Sequence, residues 1–462
     1  MPRQGSKRDE AGYAGVISKA LSEAAVTKAD WILKNATVVT MDAEERIISG
    51  GAVAVRGDSI VGVGPESDIS ASFDAPDTLD CRGQALIPGL VNAHTHAAMA
   101  LMRGIADDLP LMRWLQEHVW PVEAKHVSAE FVRDGTLLAC AEMLRGGVTC
   151  MNDMYFFPGA ALEAALAAGM RAALGLIVVE FPSAYAADPD QYLAKGLALR
   201  DQWREHPLLS FCLAPHAPYT VSDATFRKVA QLAAELDLPV HVHVHETLEE
   251  IERSVGEHGV RPLQRLAGLG LLGPNLISVH AVHLEPGEIA LLARHGCSVA
   301  HCPSSNLKLA SGLAPVAALL AAGVNVALGT DGAASNNRLD LFQEMRSAAL
   351  LAKAVARDAA AMPAHAALRA ATLGGAIALG LEERIGSIVP GKAADLAAIA
   401  FDSLELQPAY DVVSHLVYAC GREHVTDVWV GGERVVTQRM LTRLELADLQ
   451  GRVRLWQTKI LN

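Results

Sequence analysis

The stretch Pro239-Val240-His241-Val242-His243-Val244-His245-Glu246-Thr247 alternates valine with histidine. A period of two reads as a strand, with three imidazoles on one face and the valines on the other. The valines then pack against helices, and the histidines point inward. Short apolar runs recur on either side: Ser210-Phe-Cys-Leu-Ala214, Leu276-Ile-Ser-Val-His280, Cys297-Ser-Val-Ala-His301 and Val324-Asn-Val-Ala-Leu-Gly-Thr-Asp331. Alanine- and leucine-rich helical stretches separate them, and strands spaced by helices imply βα units with a parallel sheet. About eight such units fit between residues 89 and 386, which favours a closed (β/α)8 TIM-like barrel over an open doubly wound sheet. No Gly-x-Gly-x-x-Gly follows the first of these strands, so a dinucleotide fold has little support.

Outside the barrel the texture changes. Trp31–Thr40 and Gly51–Gly64 alternate as strands, and Arg56-Gly-Asp-Ser59 reads as a hairpin turn. The same pattern returns at Ala394–Ile399 and Val425–Val436, with Gly431-Gly432 as the turn. The two chain ends are therefore expected to build one small β-sandwich domain, from residues 28–88 and 387–445, around the inserted barrel. Residues 1–27 read as a tail with a short helix, and 446–462 as a C-terminal helix.

Composition limits the functions available. Of 462 residues, 51% are hydrophobic and 20% charged, enough to bury a large core. The net charge of −13 argues against a nucleic-acid or anionic-membrane surface, which needs clustered Lys and Arg. There are seven cysteines, with no Cys-x-x-Cys pair, mostly in apolar surroundings as buried free thiols are. That fits a reducing compartment. The polar start, Met1 to Gly12, precedes no apolar run, and no apolar stretch is long enough to span a bilayer. A cytoplasmic enzyme is the expectation.

Polar residues end the barrel strands. The first reads Leu90-Val-Asn-Ala-His94-Thr-His96, the fifth carries His241, His243 and His245, the sixth ends at His280, and the eighth leads to Asp331. In a parallel barrel the carboxyl ends of all strands meet on one face, where active sites sit. Imidazoles plus a carboxylate there suit zinc with an open position for water. Buried without a metal, so many polar groups would lack partners. No lysine ends the fourth strand, Phe211-Cys-Leu-Ala-Pro-His216, so a carbamylated lysine bridging two metals is not expected and one ion is. The compact nucleobase-deaminase signature is also missing: His283-Leu-Glu285 matches its first half, but no Cys-x-x-Cys follows. Among His241, His243 and His245 the spacing alone does not choose the ligand.

The runs Pro88-Gly-Leu-Val-Asn-Ala-His-Thr-His96, His243-x-x-Glu246-Thr247, Ser278-Val-His280-Ala-Val-His-Leu284, His301-Cys-Pro-Ser-Ser-Asn306 and Gly329-Thr-Asp331-Gly-Ala-Ala-Ser-Asn-Asn337 resemble the amidohydrolase superfamily. The nearer resemblance is to its methylthioadenosine/S-adenosylhomocysteine deaminase group. It runs from about residue 30 to about residue 440, and Gly386–Leu396 resembles the return into that superfamily's sandwich domain. The resemblance implies His94, His96, His243 and Asp331 as ligands of one zinc ion, with iron or manganese as alternative metals. It implies Asp331 and Glu246 as proton carriers and His280 as the partner of the attacking oxygen. It implies Trp114, Glu123, His216 and Ser335 as substrate contacts, with Asn306 as a further hydrogen-bonding group. In that group the carboxylate at Glu123 accepts the ribose hydroxyls and the indole at Trp114 walls the nucleoside.

The activity so implied is removal of the amine from an adenosine-type nucleoside, converting methylthioadenosine to methylthioinosine and ammonia, with S-adenosylhomocysteine or adenosine as further substrates. Gly175–Ser183, at the third strand, lacks arginine, so an amino-acid carboxylate finds no bidentate partner there and the uncharged thiomethyl tail is favoured. Arg171 reads as a helix-end residue. A homodimer is implied by the resemblance only. The first alternative is a deaminase or chlorohydrolase of another heterocycle (guanine, pterin or triazine), for which Glu123 would have no diol to bind. The second is a barrel that has lost its metal and serves in assembly; it would lack some ligand positions, and this chain keeps them all.

Overall fold

A computed structural model describes residues 26–462. Most of the tail expected at 1–27 lies outside the described residues. Thr27–Lys28, at its end, pair with Phe73–Asp74 as a short parallel ribbon.

The barrel strands are β1 (Leu90–Thr95), β2 (Val148–Tyr155), β3 (Arg171–Val178), β4 (Leu209–Pro215), β5 (Val240–Val244), β6 (Leu276–His280), β7 (Ser298–His301) and β8 (Asn325–Leu328). They hydrogen-bond in sequence order, every pair parallel. Residues along β2, β3 and β5 are buried throughout, as strands covered on both faces must be. The seam between β8 and β1 is stitched at its mouth: Asp331 N–H donates to His94 O at 3.0 Å, and Asn92 exchanges bonds with Thr330 at 2.8 and 3.0 Å.

Three polar residues at or just past the ends of barrel strands have left-handed backbones: His245 (φ 58°), His280 (φ 69°) and Asp331 (φ 59°). Each such residue costs of order 1–3 kcal/mol and persists where the surroundings over-determine it, commonly at functional sites. All three cluster at the same mouth.

Both chain ends join in one sheet, as expected. Its form differs from two separate layers: nine strands are hydrogen-bonded continuously, and Leu396–Ala400 from the far end pairs antiparallel with Gln84–Pro88 from the near end. Arg171 is a correction. It opens β3 rather than ending a helix, and it makes a bidentate pair with Asp395 at 2.8 and 2.9 Å, nearly inaccessible to solvent. It ties the barrel to the nine-stranded sheet. The C-terminal helix, Leu446–Leu461, seats Trp456 on the helix Ala129–Arg145, donating to Asp134 at 2.9 Å.

Candidate active site

The imidazoles expected as metal ligands are oriented from behind. His96 Nδ1–H donates to Met154 O at 2.6 Å, and His243 Nδ1–H donates to His216 O at 2.6 Å. His94 Nδ1–H donates to His241 Nε2 at 2.9 Å. These bonds hold each ring by Nδ1 and leave Nε2 facing the mouth, where His94 is shared by two candidate donor groups, His94–His96–Asp331 and His94–His243–His280. His94 Nε2 lies 3.3 Å from His243 Nε2 and 3.3 Å from Asp331 Oδ1; His96 Nε2 lies 3.2 Å from the same oxygen. Ligand atoms about 2.0–2.1 Å from a tetrahedral zinc sit about 3.3 Å apart, a spacing that the His94–His243, His94–Asp331 and His96–Asp331 contacts match, although the four donor atoms do not all lie within 4.8 Å of one another.

The donor rings differ in their electrostatics: burial would lower His96, but its bond to Asp331 and that carboxylate's charge raise it to about 9. Burial pushes His94 down to about 4 and His243 well below its ordinary value, so both are neutral donors. Burial opposes ionisation of Asp331, yet the His94 and His96 imidazoles beside it hold it well below the carboxylate range. Its other oxygen, Oδ2, accepts from Ser305 at 2.6 Å and Ser335 at 2.7 Å. Ser335 is therefore placed behind the metal donor and does not line the substrate cavity; it holds a ligand rather than touching substrate.

His280 donates from Nδ1 to Asn306 Oδ1 at 2.8 Å, which leaves Nε2 as an acceptor facing Glu246 Oε2 at 3.7 Å. Burial raises Glu246, as a proton donor at neutral pH requires. The helix that follows, Leu248–His258, is capped by Thr247, so Glu246 is not consumed as a cap. The three histidines of β5 part ways. His241 lies under His94 and His243 reaches the donor cluster. His245 turns away from the mouth, accepting Leu263 N–H at 3.0 Å and donating to His283 O at 3.1 Å.

A cavity of about 100 Å³ opens over the donors, bounded by Trp114, Glu123, Tyr155, His216, Glu246 and His280. Trp114 Nε1, buried, has no partner among the described residues. His216 donates or accepts at Thr220 Oγ1, 3.0 Å away, with its ring on the cavity wall. Tyr155 O–H donates to Glu123 Oε1 at 2.6 Å, and burial pushes Glu123 up to about 7. An outer chamber of about 910 Å³ continues past Trp120 and Glu123, walled in part by Phe181, Tyr219 and Arg253.

Sequence reasoning missed Tyr155, Ser305 and Arg253 as site residues, whereas His241 was one of three histidines among which the spacing did not choose. Only the first carried a signal, standing at the end of a strand. Arg253 corrects the search for an arginine near the third strand: the helix after β5 supplies one at the chamber wall.

A parallel barrel that gathers His94, His96 and Asp331, with His243 and His280 beside His94, at the carboxyl ends of its strands is the scaffold of a metal-dependent hydrolase. The amidohydrolase family pattern matches residues 85–435, and the chain belongs to the amidohydrolase family. A 5-methylthioadenosine/S-adenosylhomocysteine deaminase of Teredinibacter turnerae is 49% identical over 94% of this chain and 98% of its own. One from Saccharophagus degradans is 46% identical over 94% and 97%. Among solved structures, an adenosine deaminase from Xanthomonas campestris with bound zinc superposes with a TM-score of 0.93 at 51% identity, covering 94% of this chain and 99% of that one. An atrazine chlorohydrolase from Arthrobacter aurescens complexed with zinc gives 0.86 at 27% identity, over 92% and 100%.

Proposed function

We propose that the chain hydrolyses an adenosine-type nucleoside at its amine-bearing ring carbon, releasing ammonia. Methylthioadenosine is the favoured substrate and methylthioinosine the product. His94, His96, His243 and Asp331 would hold a single zinc ion. The observation that carries the nucleoside reading is Glu123. It is a carboxylate held at one oxygen by Tyr155, on the wall of the cavity that the metal donors floor. Its other oxygen is free to accept a vicinal diol, which a flat heterocycle without ribose does not offer.

A bound divalent ion supplies the Lewis acidity that makes hydroxide available at neutral pH, by lowering the pKa of water from 15.7 to about 7. Asp331 takes the proton of the attacking water and returns it to the departing ammonia. His280 Nε2, an acceptor by virtue of Asn306, orients the attacking oxygen. Glu246, whose carboxyl burial shifts upward, delivers a proton to a ring nitrogen as the carbon–oxygen bond forms, so negative charge does not accumulate on the purine. Trp114 and His216 flank the substrate.

Arg253 favours S-adenosylhomocysteine as a second substrate. It lines the outer chamber with Glu257, to which its Nε donates at 2.9 Å, and a substrate carboxylate would share the guanidinium with that acid. The reading carries with it a homodimer, as the resemblance implies, and a cytoplasmic setting, as the cysteine usage suggests; among the described residues no helix is long and apolar enough to cross a membrane. Ammonia release from zinc-loaded protein, measured across adenosine, methylthioadenosine and S-adenosylhomocysteine beside guanine and a chlorotriazine, tests the proposal. Turnover of the nucleosides alone is expected. Turnover confined to the heterocycles would overturn the nucleoside assignment and leave the metal site standing.

A further inference from the structure

We propose that Glu250 is a positioning residue for the proton transfer assigned to Glu246, its carboxylate clamping the His245–Glu246 backbone at the barrel mouth. The proposal rests on the reading of Glu246 given above.

β5 ends at Val244, and His245 reverses the chain with a left-handed backbone. Two backbone N–H groups are carried out of the strand ladder by that reversal, and buried N–H groups need partners. Glu250 supplies both. Its Oε1 accepts His245 N–H at 3.0 Å and its Oε2 accepts Glu246 N–H at 2.8 Å. Glu250 is itself fixed, because its own N–H donates to the cap Thr247 at 3.2 Å. The far side of the turn is pinned too, by the His245 ring between Leu263 N–H and His283 O.

The residue is an unusual choice for packing alone. Glu250 is 6% exposed and forms no ion pair among the described residues. A buried carboxylate is costly unless its hydrogen bonds are made. Here they are made to the two amides that set where the Glu246 Cα sits and which way its side chain leaves. A displacement of about 1 Å at a reacting group can cost about 100-fold in rate.

Glu250→Gln keeps the volume but turns an amide NH2 towards one of the two backbone donors, breaking half the clamp. Turnover and hydrogen–deuterium exchange on the zinc-loaded full chain test the idea. The expected result is a kcat lower by about 10- to 100-fold with KM close to that of the parent. Metal content is unchanged, and the 245–246 amides lose protection. Glu250→Asp, which keeps the charge but reaches fewer donors, should lie between the two and serves if the glutamine variant does not accumulate. Unchanged kcat with unchanged exchange overturns the proposal. So does a joint loss of kcat, substrate affinity and metal, which is the mark of a general structural role. If the parent itself turns over no nucleoside, the functional reading fails separately, and unchanged exchange at 245–246 in the variant still overturns the clamp.

Discussion

His94 Nε2 and Asp331 Oδ1 stand 3.3 Å apart across the seam that closes the barrel, while His94 O accepts the Asp331 backbone N–H at 3.0 Å. The first and last strands are thus joined at the point where the metal donors meet. Closing the barrel and setting the donor spacing are one structural event.

That coupling predicts a metal-dependent stability. With zinc at a hundredfold excess over its dissociation constant, the folded chain should gain about 2.7 kcal/mol over chelated protein. Scanning calorimetry with and without chelator checks this, alongside bound zinc by mass spectrometry. Asp331→Ala should erase most of the difference; a full zinc effect in that variant would remove Asp331 from the donor set.

Glu246→Gln keeps the shape and removes the proton. Its kcat should fall by about 10² to 10⁴ while zinc content stays at the parent value. Steady-state kinetics together with metal analysis separate this from loss of the site. A variant within twofold of the parent, by roughly that estimate of a general acid's worth, would reassign the proton donor.

Glu123 gives a pH signature. Burial raises its folded pKa to about 7, above the ordinary 4.5, so the carboxyl is protonated below that pH and ionised above it. Ionisation is what binds a diol, so the KM of a nucleoside should fall by about tenfold from pH 6 to pH 8, as the ionised fraction rises. A substrate without ribose should show no such trend. The same raised pKa makes Glu123 a cost to folding as pH rises through 4.5 towards 7, the opposite sign to a salt-bridged acid.

Arg253→Met should lower the kcat/KM of S-adenosylhomocysteine relative to methylthioadenosine, by about 1.5–3 kcal/mol if a charged hydrogen bond is lost. Competition assays with the two nucleosides measure the ratio directly. An unchanged ratio would detach Arg253 from the substrate tail.

Arg171→Met leaves Asp395 buried without its cation, and such losses cost about 3–5 kcal/mol. Urea unfolding should register this with the active site intact, since the pair lies at the junction with the nine-stranded sheet and away from the donor cluster.

Much of this architecture was legible before any tertiary contact was known. The alternation of Val240–His245 and the apolar runs around it pointed to a parallel barrel, because a strand's two faces are written into a local period of two. The same reasoning overreached at His245, where a left-handed backbone ends the alternation and swings the ring outward. Ser335 was legible as a polar residue beside Asp331; its distance from the cavity was not. Arg171, Tyr155 and Arg253 carried no local mark of their partners, which come from remote segments.

Sequence alone determined the alternating strands, the insertion of a barrel between two halves of a sheet, and the identities of the polar residues at the strand ends. These follow from side-chain alternation and polarity, which act over a few residues. Tertiary structure alone decided which nitrogens converge, which histidine of β5 reaches the cluster, and which acids are held from behind by Tyr155, Ser305 or a pair of backbone amides. Those outcomes depend on barrel closure, which brings groups hundreds of residues apart to within hydrogen-bonding distance, and no local preference encodes it.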